Sequence, residues 1–144
     1  MAAGVSEPLY TRGILRLAAE IPHLGLLDDP DGSAELRSPT CGSRVQVTVN
    51  LDDRGRVLKL GQSVSACAFG QASAALMAAN AIGRSRAEVE GALADLADWL
   101  AGEAATPGSW PGLAALAPAR PKTGRHGAIL LPFRALLAAI EAAR

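Results

Sequence analysis

Two cysteines are the residues in this sequence most suited to chemistry. Cys41 lies in "SPTCGSRV", and Cys67 opens the apolar run "CAFGQASAALMAANAI". Gly42 allows a tight turn beside Cys41, and a helix start at Cys67 favours an ionised thiol because the first N–H groups of a helix are unpaired. Thiolates bind soft metals, carry sulfur or close into a disulfide. The alternative interpretation, equally weighted on spacing alone, is that both are small buried residues.

A β-hairpin is predicted to bring the two cysteines together. Apolar and polar residues alternate in "VQVTVNL", and the turn sequence "DDRG" leads into a second strand, "RVLKL". If Leu51 pairs with Arg56 across this turn, Cys41 and Cys67 leave the same end of the sheet, nearly opposite each other. We therefore expect two thiols that are distant in sequence to lie within reach of a single ion.

The remaining patterns predict helices around this hairpin. An edge strand is expected near residues 33–37, and a segment rich in proline and glycine, with Trp110 in it, is expected to be a long irregular connection. Helices are predicted over residues 9–19, 67–82, 85–100 (opened by a capping box of Ser85 and Glu88) and 128–143, with Pro132 near the first turn of the last. This order predicts an α+β fold in which a small antiparallel sheet of about three strands is covered on one face by helices.

Composition excludes several classes of function. The 144 residues predict a single domain over residues 1–144, and the net charge of zero, without a basic cluster, argues against nucleic acid as a partner. No long apolar run or signal peptide is apparent, so we expect a cytoplasmic protein that binds no membrane. Because no catalytic triad, phosphate loop or paired carboxylates stand out, a hydrolase or nucleotide enzyme is poorly supported.

Two stretches carry a resemblance to a known family. "SPTCGSRVQVTV", followed by "SACAFGQASAALMAANAIGRS", resembles the U-type iron–sulfur cluster assembly scaffolds, the IscU/SufU/NifU N-terminal family. The resemblance extends over roughly Leu9 to Ile140 and implies a SufE/IscU-like sandwich. It also implies a site of three cysteines and one aspartate, which holds zinc or a nascent cluster and receives sulfur from a cysteine desulfurase.

Carried over residue by residue, the resemblance gives an incomplete ligand set. Cys41 matches the first cysteine and Cys67 the second, whereas Ser43 stands at the aspartate and Ala128 at the third cysteine. Zinc needs three or four protein ligands and a [2Fe–2S] cluster needs four, so two thiolates form half a site. His126, two residues before Ala128, is a candidate for the third ligand. A symmetric homodimer that pools four thiolates is a second solution.

Three functions stay open at this point. The first is a scaffold that binds iron, zinc or a transient Fe–S cluster through Cys41 and Cys67, receives sulfur from a cysteine desulfurase and delivers its product to Fe–S acceptor proteins, without turning over a substrate itself. The second is a SufU-like sulfur acceptor, a sulfurtransferase that works with zinc or with no metal. The third is a degenerate family member that has lost the metal and acts as an interaction protein.

Overall fold

A three-stranded antiparallel sheet and four α-helices form the part of the chain that the structure describes. The computed structural model describes residues 10–39 and 42–143 of the chain. Within these residues the elements are α1 (Arg12–Ala19), β1 (Gly32–Arg37), β2 (Arg44–Leu51), β3 (Val57–Ser65), α2 (Ala68–Ala81), α3 (Arg86–Leu100), two 3-10 helices (Leu113–Ala119 and Thr123–Arg125) and α4 (His126–Ala142). The strand order is β1-β2-β3, so β1 is the predicted edge strand. The predicted α+β class is confirmed. None of the described helices is both long and apolar enough to cross a membrane.

The hairpin forms as predicted, but its register differs. Leu51 pairs with Val57 rather than with Arg56, and a bulge after Asn50 shifts the ladder by one further residue. Asp52 explains the difference, because its N–H group donates to the Arg56 carbonyl and its side chain accepts from the Arg56 N–H group at 2.9 Å. Arg56 therefore belongs to the turn, and the first pair of the ladder moves one residue along the chain.

Strand β3 extends well beyond the apolar run that predicted it. Gly61 and Gln62 lie in its middle, although glycine is a weak strand former. A Cβ atom at Gly61 would overlap the carbonyl oxygen of Gly25, because the chain crosses the sheet there. The hydroxyl of Thr48 holds this crossing segment by accepting from the Leu27 N–H group at 3.1 Å. Gly61 is thus required by a tertiary contact that the local pattern does not reveal.

The opposite face of the sheet carries the core. Val45, Val47 and Val49 are fully buried there, under α2 and α4. Helix α2 consists mainly of small residues, so the neighbouring helices α1 and α4 approach it closely. The Ser73 hydroxyl joins α2 to α4 by donating to the carbonyl of Ile129.

The connection over residues 102–124 is irregular as far as Gly112, and its second half is packed against the core. It contains the 3-10 helix Leu113–Ala119, whose Leu113 and Leu116 are buried at the three-residue spacing of that helix type. The indole N–H of Trp110 donates to the Leu76 carbonyl at 2.9 Å, which fixes the segment to α2. The prediction of an irregular connection is therefore confirmed for residues 102–112 and wrong for Leu113–Ala119, because a three-residue period over seven residues is easily missed.

Helix α4 begins two residues earlier than predicted. Pro132 is therefore the seventh residue of the helix and lies in its second turn. Proline has no N–H group, so it cannot bond to the Ala128 carbonyl, four residues before it. That carbonyl lies against α2, where a Cβ atom built on Gly70 would be 3.3 Å from it.

Candidate functional site

The last pair of the β2–β3 ladder marks the end of the sheet where the site is expected. Arg44 pairs with Ser65, and the two cysteines lie just beyond these residues in sequence. Cys67 is described, whereas Thr40 and Cys41 lie outside the described residues. The proximity of Cys41 and Cys67 therefore stays a prediction, and the described residues around Cys41 give its setting.

The residues on either side of Thr40 and Cys41 form a closed loop. The Ser38 N–H group donates to the Ser43 carbonyl at 2.8 Å, and the Gly42 N–H group donates to the Ser38 carbonyl at 3.1 Å. Gly42 has a φ angle of +73°, which glycine adopts without strain, as expected for a turn beside the cysteine. The side chain of Ser43 is buried, with a relative exposure of 2%. We call residues 38–43 the cysteine loop.

Cys67 occupies the N-cap position of α2. It is a free cysteine, half-buried, and it packs against the hydrophobic core. Its backbone is extended and its side chain makes no capping hydrogen bond to the helix. The ring of Tyr10, just before α1, packs edge-on against the ring of Phe69 at 5.0 Å, so the start of α1 also lies at this end of α2.

The start of α4 contacts both segments. A Cβ atom built on Gly127 would lie 3.3 Å from the hydroxyl oxygen of Ser38, in the cysteine loop. Ala128 is buried against the first turn of α2, because a Cβ atom built on Gly70 would lie 3.4 Å from its Cβ atom. The cysteine loop, the start of α2 and the start of α4 therefore meet at one end of the molecule. Ala128, the position of the third cysteine in the resemblance, lies at this junction.

His126 is the first residue of α4, and its ring is held by two backbone carbonyls. Its Nε2 atom lies 3.1 Å from the carbonyl oxygen of Ala119 and 2.9 Å from that of Arg120. The ring also borders a groove of about 440 Å³ between the end of α3 and the segment that precedes α4. The side chain is only partly buried. A ligand can therefore approach it without unfolding of the core.

The donor set fits a thiolate-based metal site, but the described residues do not complete one. Cysteine sulfur and imidazole nitrogen are the usual ligands of zinc, and cysteine sulfur is that of iron–sulfur clusters. Among residues 10–39 and 42–143, no three His, Cys, Asp or Glu side chains are grouped so that they could hold a metal ion. Any complete site must therefore include a residue that the structure does not describe, such as Cys41, or a ligand from outside the chain.

Two glycines that the sequence analysis did not single out contribute to this junction. Gly70 and Gly127 are the points where α4 approaches α2 and the cysteine loop, and a Cβ atom at Gly70 would lie only 2.8 Å from that of Ala66. A glycine inside a strongly helical run, as in "CAFGQAS", often indicates close packing. That signal was present, but it does not identify the packing partner.

Comparison with known proteins agrees with this architecture. Residues 9–105 match the family described as the NifU-like N-terminal domain. The N-terminal part of a nitrogen-fixing NifU-like protein from Brucella abortus is 32% identical, with 94% of each chain covered and a TM-score of 0.88.

Two further structures share the fold at lower identity. A candidate iron–sulfur cluster assembly scaffold protein for the SUF system of Fervidobacterium islandicum is 18% identical, with a TM-score of 0.83 over 92% of this chain and 96% of that one. A hypothetical protein is 24% identical, with a TM-score of 0.78 over 90% and 94% of the two chains. No protein of curated function matches the chain.

Proposed function

Because the chain belongs to the family of NifU-like N-terminal domains, we propose that it is a scaffold for iron–sulfur cluster assembly. Iron and sulfide are its substrates: the protein holds them while a cluster forms and then releases the product to an acceptor protein. The observation that carries the proposal is the junction itself, where the cysteine loop, the N-cap Cys67 and the start of α4 meet. Two thiolates can hold one ion only if they lie at the same end of the fold.

The proposed ligands are Cys41 and Cys67, with zinc or iron as the metal. His126 and Ser43 are the candidates for the remaining positions, because His126 begins α4 and Ser43 closes the cysteine loop. A homodimer that pools four thiolates is the alternative way to reach the four ligands of a [2Fe–2S] cluster. We place the protein in the cytoplasm, where thiols stay reduced.

Sulfur arrives by transfer from a cysteine desulfurase. A thiolate of the site attacks the outer sulfur of the persulfide on the desulfurase, a new S–S bond forms, and the desulfurase cysteine leaves as a thiolate. Cys67 is suited to this step because it is only half-buried. The transfer is a substitution at sulfur and needs no outside oxidant, whereas release of the transferred sulfur as the sulfide of a cluster consumes two electrons from an external reductant.

Anaerobic reconstitution tests the scaffold function. Protein incubated with ferrous iron and sulfide should retain both, with the visible absorption of a cluster, and the Cys41→Ser and Cys67→Ser variants should lose it. The matched control is Ser85→Ala, a substitution at the start of α3 that removes no metal-binding group. Equal iron and sulfide in the wild type and both cysteine variants would reject the proposal.

A sulfur acceptor is the second candidate. It is favoured by Ser43 and Ala128, which stand where the resemblance places an aspartate and a third cysteine, since sulfur transfer needs only a thiol. Such a protein should stimulate desulfurase turnover with zinc or without metal, and it should retain no sulfide after reconstitution. A protein with neither property, whose desulfurase response is unchanged by Cys41→Ser, would instead be an interaction protein that keeps only the fold.

A further inference from the structure

We propose that the outward side of α1 is a docking surface for the sulfur donor, a cysteine desulfurase with an acidic contact surface. This side consists of Arg12, Leu15, Arg16 and Ala19, which are all exposed and follow one another at a spacing of three or one residues along one side of the helix. We call these four residues the α1 face. The inference deepens the proposed function and rests on it, because it assumes that Cys67 receives its sulfur from another protein.

The α1 face begins at the end of the molecule that carries Cys67. The ring of Tyr10, two residues before Arg12, packs against the ring of Phe69 in the first turn of α2, and Cys67 is the N-cap of that helix. The inward side of α1 is buried through Ile14 and packs on α2. A protein that binds the α1 face is therefore placed at the end where Cys67 receives sulfur in the proposed function.

The two arginines of the α1 face have no ionic partner within the described part of the chain. Neither forms an ion pair there, although Glu20 lies one turn after Arg16. Both guanidinium groups can therefore bind the carboxylates of another protein without first losing an internal ion pair. Arginine is also enriched in protein interfaces, and opposite charges on two surfaces speed their association.

The charges of this chain, whose net charge is zero, are separated along the molecule. Aspartates lie before β1 and in the hairpin turn, and these segments meet at the end opposite to Cys67, where Asp31 accepts from the Leu51 N–H group at 2.8 Å. At the Cys67 end, α1, the cysteine loop and the start of α4 are each next to or contain a cation: Arg12, Arg37 and Arg125. An acidic protein is therefore attracted to the Cys67 end and repelled by the other.

The acidic side chains near the Cys67 end lie on other elements than α1. Glu35 is on β1 and is held by Arg44 at 3.0 Å, whereas Asp98 and Glu103 lie near the end of α3. Helix α1 packs mainly on α2, on the other side of which α4 lies. Among the flanks of this end that the structure describes, the α1 face therefore offers an acidic partner the most favourable approach.

Three residues of α1 contribute less to helix stability than common alternatives would. Arg12 is the first residue of the helix, where the macrodipole disfavours a cation. Gly13 is a weak helix former, although a Cβ atom there would meet only the Thr11 hydroxyl oxygen, at 3.7 Å. Leu15 is 51% exposed. Such departures from local preference are expected where a surface serves binding.

Association kinetics with the cysteine desulfurase of the same organism test the inference. The variant Arg12→Glu/Arg16→Glu reverses both charges of the α1 face. The control Arg54→Glu/Arg134→Glu makes the same change in net charge at two exposed arginines, in the hairpin turn and in α4. At low salt the first variant should associate about 10-fold more slowly than the wild type or worse, and the control less than about 3-fold more slowly. Added salt should slow the wild type but not the first variant.

Two further measurements separate docking from folding. Arg12→Glu should not destabilise the protein, because an anion suits the first position of a helix, and urea unfolding checks this. Leu15→Ala should raise the dissociation rate by about 5-fold and leave the association rate unchanged, since it removes an apolar contact and no charge. Unchanged dissociation in Leu15→Ala would remove Leu15 from the docking surface.

Equal association rates in the two charge variants would overturn the inference, as would a wild type that does not bind the desulfurase. Self-association of the free protein that Arg12→Glu/Arg16→Glu abolishes would also overturn it, by assigning the α1 face to a second copy of the chain. The proposed function fails separately, because reconstitution with inorganic sulfide needs no desulfurase. A wild type that assembles a cluster from sulfide, but whose desulfurase binding ignores the charge of the α1 face, keeps that function and loses this inference.

Discussion

Two neighbouring helices begin in opposite ways. Helix α3 has a complete capping box, in which Ser85 accepts from the Glu88 N–H group at 3.2 Å and Glu88 accepts from the Ser85 N–H group at 3.1 Å. Helix α2 has Cys67 at the same position, with no side-chain cap. Replacing a good N-cap residue typically costs about 1 kcal/mol. The start of α3 therefore has a stabilising cap, whereas the start of α2 lacks one at the position of the proposed thiolate ligand.

The largest expected difference between the starts of α2 and α3 is in metal binding. Cys67→Ser should lower zinc affinity by more than about 100-fold, because a neutral hydroxyl replaces a thiolate ligand. Ser85→Ala, the equivalent position of α3, should leave the affinity unchanged. Competition with a chromophoric chelator measures both. A loss in Ser85→Ala as large as that in Cys67→Ser would mean that metal binding follows fold stability rather than the thiol.

A second contrast concerns one glycine in each helix. Gly70→Ala should destabilise the protein by about 1–3 kcal/mol, because the new Cβ atom would meet the Cβ atom of Ala66 at 2.8 Å and the carbonyl of Ala128 at 3.3 Å. Gly91→Ala, in the exposed middle of α3, meets nothing within 4 Å and should stabilise it by about 0.5–1 kcal/mol. Urea unfolding gives both free energies. Gains of the same size in the two variants would disprove the close approach at the α2–α4 junction.

The caps themselves should respond with opposite sign. Ser85→Ala should lower the free energy of unfolding by about 1 kcal/mol, since it leaves helix N–H groups unpaired. Cys67→Ser should raise it by up to about 1 kcal/mol, because serine at this position can accept from the first turn of α2. Thermal and urea unfolding of the metal-free proteins measure the difference. If Cys67→Ser proves as destabilising as Ser85→Ala, the thiol of Cys67 stabilises the fold, and the contrast between the two helix starts is wrong.

The smallest expected effect is a pH dependence at the start of α3. The hydrogen bond from the Ser85 N–H group, helped by Arg84 and Arg56, holds the pKa of Glu88 below its ordinary value of 4.5. A carboxyl group with a lowered pKa stabilises the fold above its unfolded pKa, and that stabilisation is lost as the pH falls through the folded pKa. The wild type should therefore lose more stability than Glu88→Gln between neutral pH and about pH 3. Parallel urea midpoints for the two proteins would contradict this.

The sequence predicted the elements that depend on local patterns. The alternation of apolar and polar residues gave the hairpin, and Ser85 with Glu88 gave the start of α3. The errors arose where individual contacts decide, one of them tertiary and one local to the turn. Strand β3 continues through Gly61 because another segment crosses it, and Asp52 moves the register by binding Arg56. Neither contact leaves a periodic signal in the sequence.

The candidate site was predicted only in part. Cys67 lies at a helix start as expected, and the predicted glycine turn is present at Gly42. The orientation of the His126 ring could not be predicted from the sequence. Its two acceptors are backbone carbonyls, whose positions depend on the packing of the 3-10 helix. Backbone groups are the same at every position, so a pattern of side chains cannot indicate which of them will hold a ring.

X-ray absorption spectroscopy of the zinc-loaded protein tests the central claim most directly, because it counts the sulfur atoms around the metal. We predict two sulfur ligands at about 2.3 Å, from Cys41 and Cys67, together with nitrogen or oxygen at about 2.0–2.1 Å. A coordination shell of nitrogen and oxygen alone, or one with a single sulfur, would contradict the claim that the two thiols hold one ion.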